Sequence, residues 1–266
     1  MSLAELSLDR WRAADAAAVR QIAREAAGQA AGRVSRVEMI EHLGGGFHRV
    51  LIERDGQEFA LIPGGTVRLG LDLDAWRPTP EQEADYAESV SGGFGYGDDL
   101  RAHLARVLSP PRTATVPTVL MAIKDEILDE SPADVPAVLA ERGLRMPSPD
   151  EWEHACGAGA TTLFRWGDHC PLDRMPDDPD GGPHEHPNAF GLRIAYDTYR
   201  AELSTDRTAV HGGDGGESIW GGYGHLLGWL PLATANRNPS MAEFVYGPED
   251  KDLTDTYSVR PVLPLS

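Results

Sequence analysis

The side chains best suited to metal chemistry form a short histidine cluster in the second half of the sequence, His184-Glu185-His186. If this segment is extended, alternate side chains point to opposite sides, so the two imidazoles share one side and Glu185 points away. Imidazole suits iron, and His184 and His186 are therefore the candidate metal ligands. The alternative is a polar loop whose side chains are simply solvated.

A second candidate is an acidic loop that offers hard oxygen ligands to calcium, formed by Asp173, Asp177, Asp178 and Asp180. Its spacing is irregular, and it lacks the terminal bidentate glutamate of a dedicated calcium loop. The pattern therefore favours a solvated run of charge over a built calcium site.

Two glycine-rich stretches, 211–216 (HGGDGG) and 220–225 (WGGYGH), allow close approach of the backbone and positive φ angles. Neither is followed by a lysine or set between a strand and a helix, so a phosphate-binding loop is not expected. If the stretches form a pocket, the side chains expected to line it are His211, Asp214, Trp220, Tyr223 and His225. Irregular turns that simply require glycine explain the pattern equally well.

The two cysteines, Cys156 and Cys170, are too few for a disulfide framework and are expected to be reduced. Cys156 follows Trp152 by four residues on a predicted helix, which favours packing in the core. Cys170 lies beside Asp168, and a neighbouring carboxylate raises the pKa of a thiol, which disfavours a nucleophile.

The chain of 266 residues carries 24 Lys and Arg against 42 Asp and Glu, a formal net charge of −18. This negative charge disfavours nucleic acid and anionic membrane surfaces as partners. No apolar run reaches the ~20 residues of a membrane span, and Met1–Arg12 has no apolar signal-peptide core. The composition predicts an acidic, cytoplasmic protein whose partner is a small molecule, a peptide or another protein.

Local periodicity predicts a helix over 8–31 and, from 34 to 61, strands separated by Gly44-Gly45-Gly46 and by Asp55-Gly56. Residues 71–113 are expected to be mostly irregular because prolines and glycines interrupt them. Shorter predicted elements are a helix at 98–107, a strand at 116–123, a helix at 132–142 and a C-terminal strand from Tyr257 to Leu265.

The clearest helix start is Ser148-Pro149-Asp150-Glu151, because a serine cap, a proline at the first position and a reciprocal glutamate form a capping box. This helix is expected to end at Gly157. The long stretch after it shows little regular pattern, and aromatic side chains are expected to anchor it to a core. They are Phe164, Trp166, Phe190, Trp220 and Trp229.

Five motifs follow one another along the chain: Phe59 to Gly70 (FALIPGGTVRLG), Arg145 to Ala155 (RMPSPDEWEHA), Trp166-Gly167-Asp168, Pro187 to Leu192 (PNAFGL) and Tyr257 to Val262 (YSVRPV). Together they resemble the formylglycine-generating enzyme / sulfatase-modifying-factor family, and the second motif is the most specific. The resemblance implies an irregular α+β fold, the family's variant of the C-type lectin fold. Residues 1–58 would be an N-terminal helix plus β-hairpin extension and 59–266 the family domain.

The resemblance also assigns expected roles to residues. It places the glycine-rich stretches at the family's active-site floor or, in binding members, at the ligand surface. It adds Asn236 and Arg237, because the family often has an arginine there that supports the floor. Family members often hold structural calcium, and the authentic enzymes bind copper(I) through a cysteine pair downstream of the glycine pair.

Two departures from the family pattern change the expected activity. The segment Arg193 to Glu202 lacks both tryptophans of the corresponding family strand, and no cysteine follows Cys170, so a thiolate copper site is not expected. The sequence therefore favours a divergent member that binds a ligand or partner without copper-dependent formylglycine formation. The alternative is an oxygen-dependent oxidoreductase of the non-heme iron type, with a site drawn from His184, His186, His211, Asp214 and His225.

Overall fold

The protein, described by a computed structural model over residues 2–247, 253 and 255–265, has an α+β structure. The helices are α1 (Leu8–Arg12), α2 (Ala16–Gln29), α3 (Pro80–Ser91), α4 (Leu100–Val107), α5 (Val135–Glu141), α6 (Pro149–Gly157), α7 (Glu217–Trp220), α8 (His225–Trp229) and α9 (Pro239–Tyr246). The strands are β1 (Arg33–His42), β2 (Gly45–Arg54), β3 (Gln57–Ile62), β4 (Gly65–Leu69), β5 (Arg112–Val116), β6 (Val119–Ala122), β7 (Ala201–Leu203), β8 (Tyr257–Val259) and β9 (Val262–Pro264).

The main sheet is antiparallel, with the strand order β1-β2-β3-β6-β9. Two smaller ladders join β4 to β5 antiparallel and β7 to β8 parallel. The strands predicted at 34–61 are confirmed as β1, β2 and β3, which pair antiparallel in chain order. At the turn between β2 and β3, Asp55 and Gly56 have φ angles of 53° and 82°, the positive values that two-residue hairpin turns require.

The predicted helix over 8–31 is instead two helices, α1 and α2. The side chain of Asp15 accepts hydrogen bonds from the backbone N–H groups of Ala17 (2.9 Å) and Ala18 (2.8 Å), so it starts a new helix. The apolar period continues across the break, which explains why the pattern suggested one helix. In α1, Trp11 is buried and its indole N–H donates to the carbonyl of His48 (2.8 Å).

The predicted boundary between residues 58 and 59 lies within β3. One hydrophobic cluster extends from Leu3 in the N-terminal segment to Leu263 in β9. The N-terminal helices, the hairpin of β1 and β2 and the later part of the chain therefore share a core.

Sequence patterns located several elements and missed one. The predicted helices at 98–107 and 132–142 are confirmed as α4 and α5, and the predicted strand at 116–123 contains β6. The helix α3 lies in the segment expected to be irregular. Its start is a capping box between Thr79 and Gln82 with Pro80 in the first turn, where proline begins a helix instead of breaking one.

The capping box at the start of α6 is confirmed. The Ser148 hydroxyl accepts from the Glu151 backbone N–H (3.2 Å), and the Glu151 carboxylate accepts from the Ser148 backbone N–H (2.7 Å). Arg145 adds two donors to the same carboxylate, at 2.7 and 2.5 Å. The helix ends at Gly157 as expected, and Ala158 takes the left-handed conformation that closes it.

A buried arginine ties α6 to the two C-terminal strands. Arg260 is 0% exposed, and its Nε and Nη2 donate to the two oxygens of Glu202 at 2.8 and 2.7 Å. The indole N–H of Trp152 donates to the same carboxylate (2.9 Å), and Arg260 Nη1 donates to the carbonyl of Ala122 (3.0 Å). The predicted strand at 257–265 is interrupted here, so that β8 pairs with β7 and β9 pairs with β6.

Asn188 connects the irregular segment after α6 to that helix. The amide nitrogen of Asn188 donates to the carbonyls of Ala155 (2.6 Å) and Cys156 (3.0 Å) in α6. Its amide oxygen accepts from the backbone N–H groups of Phe190 (3.1 Å) and Leu192 (3.0 Å). One side chain therefore satisfies four backbone groups that would otherwise be buried without partners.

Replacement of Arg260 tests the buried ion pair. We expect Arg260→Met to lower the free energy of unfolding by about 3–5 kcal/mol, because Glu202 would keep a buried charge without its main partner. Urea unfolding followed by circular dichroism measures this change. Arg10→Met is the control, because Arg10 and Glu5 form an exposed pair and exposed pairs contribute little. Equal midpoints for Arg260→Met and the wild-type protein would contradict the assigned role.

Candidate functional site

A cleft of about 410 Å³ lies among α4, the segment around α7 and α8, and the start of α9. Four of the seven side chains predicted to bind a ligand line it: Asp214, Tyr223, Asn236 and Arg237. Asp214 and Tyr223 precede α8 in the sequence, whereas Asn236 and Arg237 follow it. The tertiary fold therefore brings the two pairs together.

Backbone hydrogen bonds to the end of α4 position the two residues at the floor of the cleft. The Arg237 N–H donates to the carbonyl of Val107 (2.9 Å), and the preceding residue, Asn236, forms a bridge with Leu108. The next residue, Asn238, caps α9 by accepting from the Met241 N–H (2.9 Å). The floor is therefore an irregular segment held at both ends by ordered elements.

Two polar atoms at this floor are buried and lack a hydrogen-bond partner among the described residues, Asn236 Oδ1 and Arg237 Nε. The nearest carboxylate oxygens to Arg237 Nη2 are those of Asp150 (3.7 Å) and Glu153 (4.0 Å), which also receive closer bonds from Arg112. A buried polar group without a partner costs free energy. The Arg237 side chain as a whole is 28% exposed, so a bound ligand could supply an acceptor to its exposed part, whereas the two unpartnered atoms are closed to direct contact.

The helix α4 also contributes His103 and Arg106 to the lining of the cleft. Arg106 Nη2 lies 3.2 Å from His103 Nδ1, and because arginine can only donate, the imidazole carries its proton on Nε2. Burial, reinforced by the Arg106 charge, lowers the pKa of His103 to about 4. The imidazole is thus neutral near pH 7 and offers one fixed donor.

Aromatic rings form another part of the wall. Tyr96 and Tyr223 meet edge to face with ring centroids 5.1 Å apart, and Phe94 contacts Tyr223 at 4.9 Å. Burial and the neighbouring Tyr223 raise the pKa of Tyr96. Leu227 and Leu230 add apolar surface. The cleft therefore has a polar floor and a wall that combines aromatic and apolar side chains with charged ones, among them Arg106 and Glu217.

Asp214 lines the cleft, but its carboxylate is occupied by its own loop. It accepts from the backbone N–H groups of Gly216 (2.9 Å) and Ser218 (3.1 Å) and from the Ser218 hydroxyl (2.5 Å). Burial raises the pKa of Asp214, and this effect exceeds that of the hydrogen bonds, which lower the pKa. Gly216 has a φ of 79°, a conformation that favours glycine. Both residues shape the turn before α7.

His211 lies behind the floor and does not line the cleft. Its ring stacks on Trp152 at a centroid distance of 4.7 Å, and its Nδ1 donates to the carbonyl of Asn236 (2.9 Å). Burial first, and then the charge of Arg237, lower its pKa to about 4. The expectation that His211 contacts a ligand is corrected, because stacking on Trp152 holds the ring inside the protein.

Trp220 and His225 also lie outside the cleft wall. Trp220 is 80% exposed, at the end of the four-residue helix α7. His225 Nδ1 lies 3.2 Å from Asp85, whose carboxylate also accepts from the backbone N–H groups of His225 and Leu226. Asp85 thereby caps α8 from α3 and turns His225 away from the cleft.

The histidine triplet is not an extended ligand pair. Residues Pro183–Glu185 form a 3-10 turn, in which the buried His184 ring packs edge to face on Trp229 at 5.1 Å. His186 lies after this turn and is exposed. Arg165 donates to the backbone carbonyls of both histidines. This arrangement differs from the predicted extended geometry, because proline and the buried ring favour a turn.

Two carboxylates of the acidic loop, those of Asp177 and Asp178, already accept hydrogen bonds. Asp177 accepts from the Tyr199 hydroxyl (2.8 Å), and Asp178 accepts from the backbone N–H of Asp180 (2.9 Å). Across residues 2–247, 253 and 255–265, no three or more His, Cys, Asp or Glu side chains are grouped so that they could hold a metal ion.

The cysteines do not fit the copper(I) site of the family that the sequence resembles. Cys156 is buried in the core and Cys170 is partly buried, and both are free thiols. Burial raises the pKa of each to about 12, with Asp85 adding to the effect at Cys170. Copper(I) prefers soft ligands such as thiolates, and no cysteine follows the glycine pair, where that family places its copper ligands. The core position predicted for Cys156 is confirmed.

Sequence reasoning missed Tyr96, His103 and Arg106 as parts of the cleft. His103 and Arg106 are three residues apart on a predicted helix, a spacing that places them on one face. That face could have been recognised as polar, but no sequence pattern placed it beside Asn236.

Comparison with known proteins gives no match, either to a protein-family model or to a curated protein. In the described part of the chain, no helix combines the length and apolar character needed to cross a membrane.

The pKa of His211 predicts an acid-sensitive contribution to stability. The unfolded chain takes up a proton near the ordinary pKa of 6.5, whereas the folded protein does so near 4. The free energy of unfolding therefore falls as the pH is lowered through this window and gains nothing from it above pH 6.5. We expect His211→Phe, which retains a ring on Trp152, to lose less stability over the same window in urea titrations. Parallel pH profiles for the two proteins would contradict this expectation.

Proposed function

We propose that the chain is a divergent protein of the formylglycine-generating-enzyme-like type, with that family's variant of the C-type lectin fold. In this proposal it binds a small molecule in the cleft and does not form formylglycine by copper chemistry. The observation that carries the binding role is the floor of the cleft, which is lined by Asn236 and by the partly exposed side chain of Arg237.

Contacts among the motif residues support the family proposal. Trp152 of the motif RMPSPDEWEHA and Arg260 of the motif YSVRPV donate to the same carboxylate, that of Glu202. Asn188 of the motif PNAFGL bonds to two carbonyls of α6. Motifs far apart in the sequence thus form one connected core, which is the role expected of a family signature.

The shape and chemistry of the cleft indicate its ligand. A volume of about 410 Å³ falls in the range of small-molecule sites and favours a small molecule over a peptide or a partner protein. Arg106 and Arg237 supply positive charge, and Tyr96, Tyr223 and Leu227 supply aromatic and apolar surface. Two carboxylates also line the cleft, Glu217 and Asp214, and the second of these is bonded within its own loop. We infer a ligand that combines a carboxylate or phosphate group with an aromatic or apolar part.

The alternative, a non-heme iron oxidoreductase, gains no support from the arrangement of its proposed ligands. His211 stacks on Trp152, His225 bonds to Asp85, and His184 packs on Trp229. One equivalent of tightly held iron or copper in protein purified without a tag, lost on His211→Ala, would contradict the binding proposal.

A panel of small carboxylates and phosphates, each with and without an aromatic ring, tests the ligand class. We expect aromatic members to raise the melting temperature of the wild-type protein and to give measurable affinities by calorimetry. Arg237→Gln should weaken these affinities by about 10- to 100-fold, the loss expected for a hydrogen bond to a charged group.

Arg207→Gln is the matched control, because Arg207 lies outside the cleft over the Tyr246 ring. Equal loss of affinity in both arginine variants would indicate a general charge effect and contradict the assigned site. The absence of binding by every member of the panel would contradict the proposed ligand class.

A further inference from the structure

The outer edge of the main sheet is a long strand with apolar side chains at its surface. Within the described residues β1 has no neighbour on the side away from β2, and it extends over ten residues, Arg33–His42. Val37 is 38% exposed and Met39 is 60% exposed. Such an edge presents unpaired backbone N–H and C=O groups to another strand.

We propose that two copies of this protein pair through β1, antiparallel, with Val37 on the two-fold axis. The two main sheets would then join into one continuous sheet across the dimer. The proposed partner of this edge is thus a second copy of the same chain. We choose it because the order of charged residues along β1 is complementary to a second β1 strand.

Symmetry restricts how two identical antiparallel strands can pair. Side chains that lie directly opposite each other share a face of the sheet, and each face carries alternate residues of a strand. Opposing residue numbers must therefore differ by an even number. In a two-fold interface, a residue i that lies opposite residue j also has residue j opposite residue i. Because the two numbers differ by an even number, the residue midway between them lies opposite its own copy.

The bulge-free part of β1, residues 36–42, offers few suitable axial residues. Placing Arg36, Glu38 or Glu41 on the axis would put like charges directly opposite each other, which is destabilising. Placing Met39 or Ile40 there would put a glutamate opposite an apolar side chain.

Placing Val37 on the axis gives a complementary arrangement. Each Arg36 then faces Glu38 of the other copy, so two opposite-charge pairs flank the apolar Val37 pair. Within the described residues, the Arg36 side chain forms no ion pair of its own. Glu38 receives Arg49 at 2.9 Å through Oε1, which leaves its second oxygen for the partner's arginine.

A β-bulge between Val34 and Arg36 extends the apolar contact. Across β2, Val34 pairs with Ile52, Val37 with Val50, and Met39 with His48. Because these three partners alternate along β2, Val34, Val37 and Met39 lie on one face of β1 despite their uneven spacing. In the dimer, the bulge region at Val34 approaches Met39 of the other copy and covers its exposed side chain.

Single cysteine variants determine the register. On the proposed axis the two copies of residue 37 are adjacent, whereas the two copies of residue 39 are ~13 Å apart, four residue steps along the sheet. We expect a short thiol-to-thiol crosslinker to join Val37→Cys into a covalent dimer. Met39→Cys, although the more exposed position, should remain uncrosslinked. The unsubstituted protein, whose Cys156 is buried and whose Cys170 is partly buried, is the control for its own thiols and should also remain uncrosslinked.

Charge reversal tests the ion pairs. Sedimentation or light scattering of the wild-type chain should give twice the monomer mass, and Arg36→Glu and Glu38→Arg should each be monomeric because like charges would meet. A mixture of these two variants should dimerise, since the introduced glutamate of one then faces the introduced arginine of the other. Circular dichroism of each variant checks that it is folded.

A wild-type protein that stays monomeric at high micromolar concentration would overturn the proposal. Crosslinking of Met39→Cys without crosslinking of Val37→Cys would overturn the proposed register. Failure of the mixed variants to associate, when each is folded and the wild-type chain is dimeric, would overturn the charge pairing.

Discussion

The carboxylate of Glu202 is the point on which the rest of this structure depends. It is buried, and it receives bonds from the Arg260 guanidinium and the Trp152 indole. A buried carboxylate is tolerated only when paired and hydrogen-bonded, so β7, α6 and the chain after β8 must meet at one place. His211 stacks on Trp152, and its Nδ1 donates a hydrogen bond to the carbonyl of Asn236 at the floor of the cleft.

This connection explains how a largely irregular chain holds a defined cleft. The floor residues are not in a helix or strand, so packing on neighbours must fix them. His211 holds Asn236 from below, and the end of α4 holds Arg237 from the side. Since these supports use backbone groups of the floor, no side chain in the described part of the chain bonds to Asn236 Oδ1 or Arg237 Nε, and both atoms are buried at the floor.

Some of this arrangement could be predicted from the sequence, and the reasons differ between elements. The start of α6 was predictable because a capping box is a local interaction between residues three apart. The turn at Asp55-Gly56 was predictable because its backbone angles suit few other residues. The break at Asp15 and the start of α3 carry equally local signals, but a continuous apolar period hides the first and nearby prolines hide the second.

The sequence by itself determined the elements whose hydrogen bonds close within a few residues, the shortage of cysteines, and the net charge of −18. Only the tertiary structure decided which side chains of the glycine-rich stretches line the cleft. Asp214 and Tyr223 reach the cleft, whereas Trp220 faces solvent and His225 faces Asp85. The physical reason is that α3 and α4 lie far from the glycine-rich stretches in the sequence. Their packing against these stretches sets the direction in which each of these side chains points.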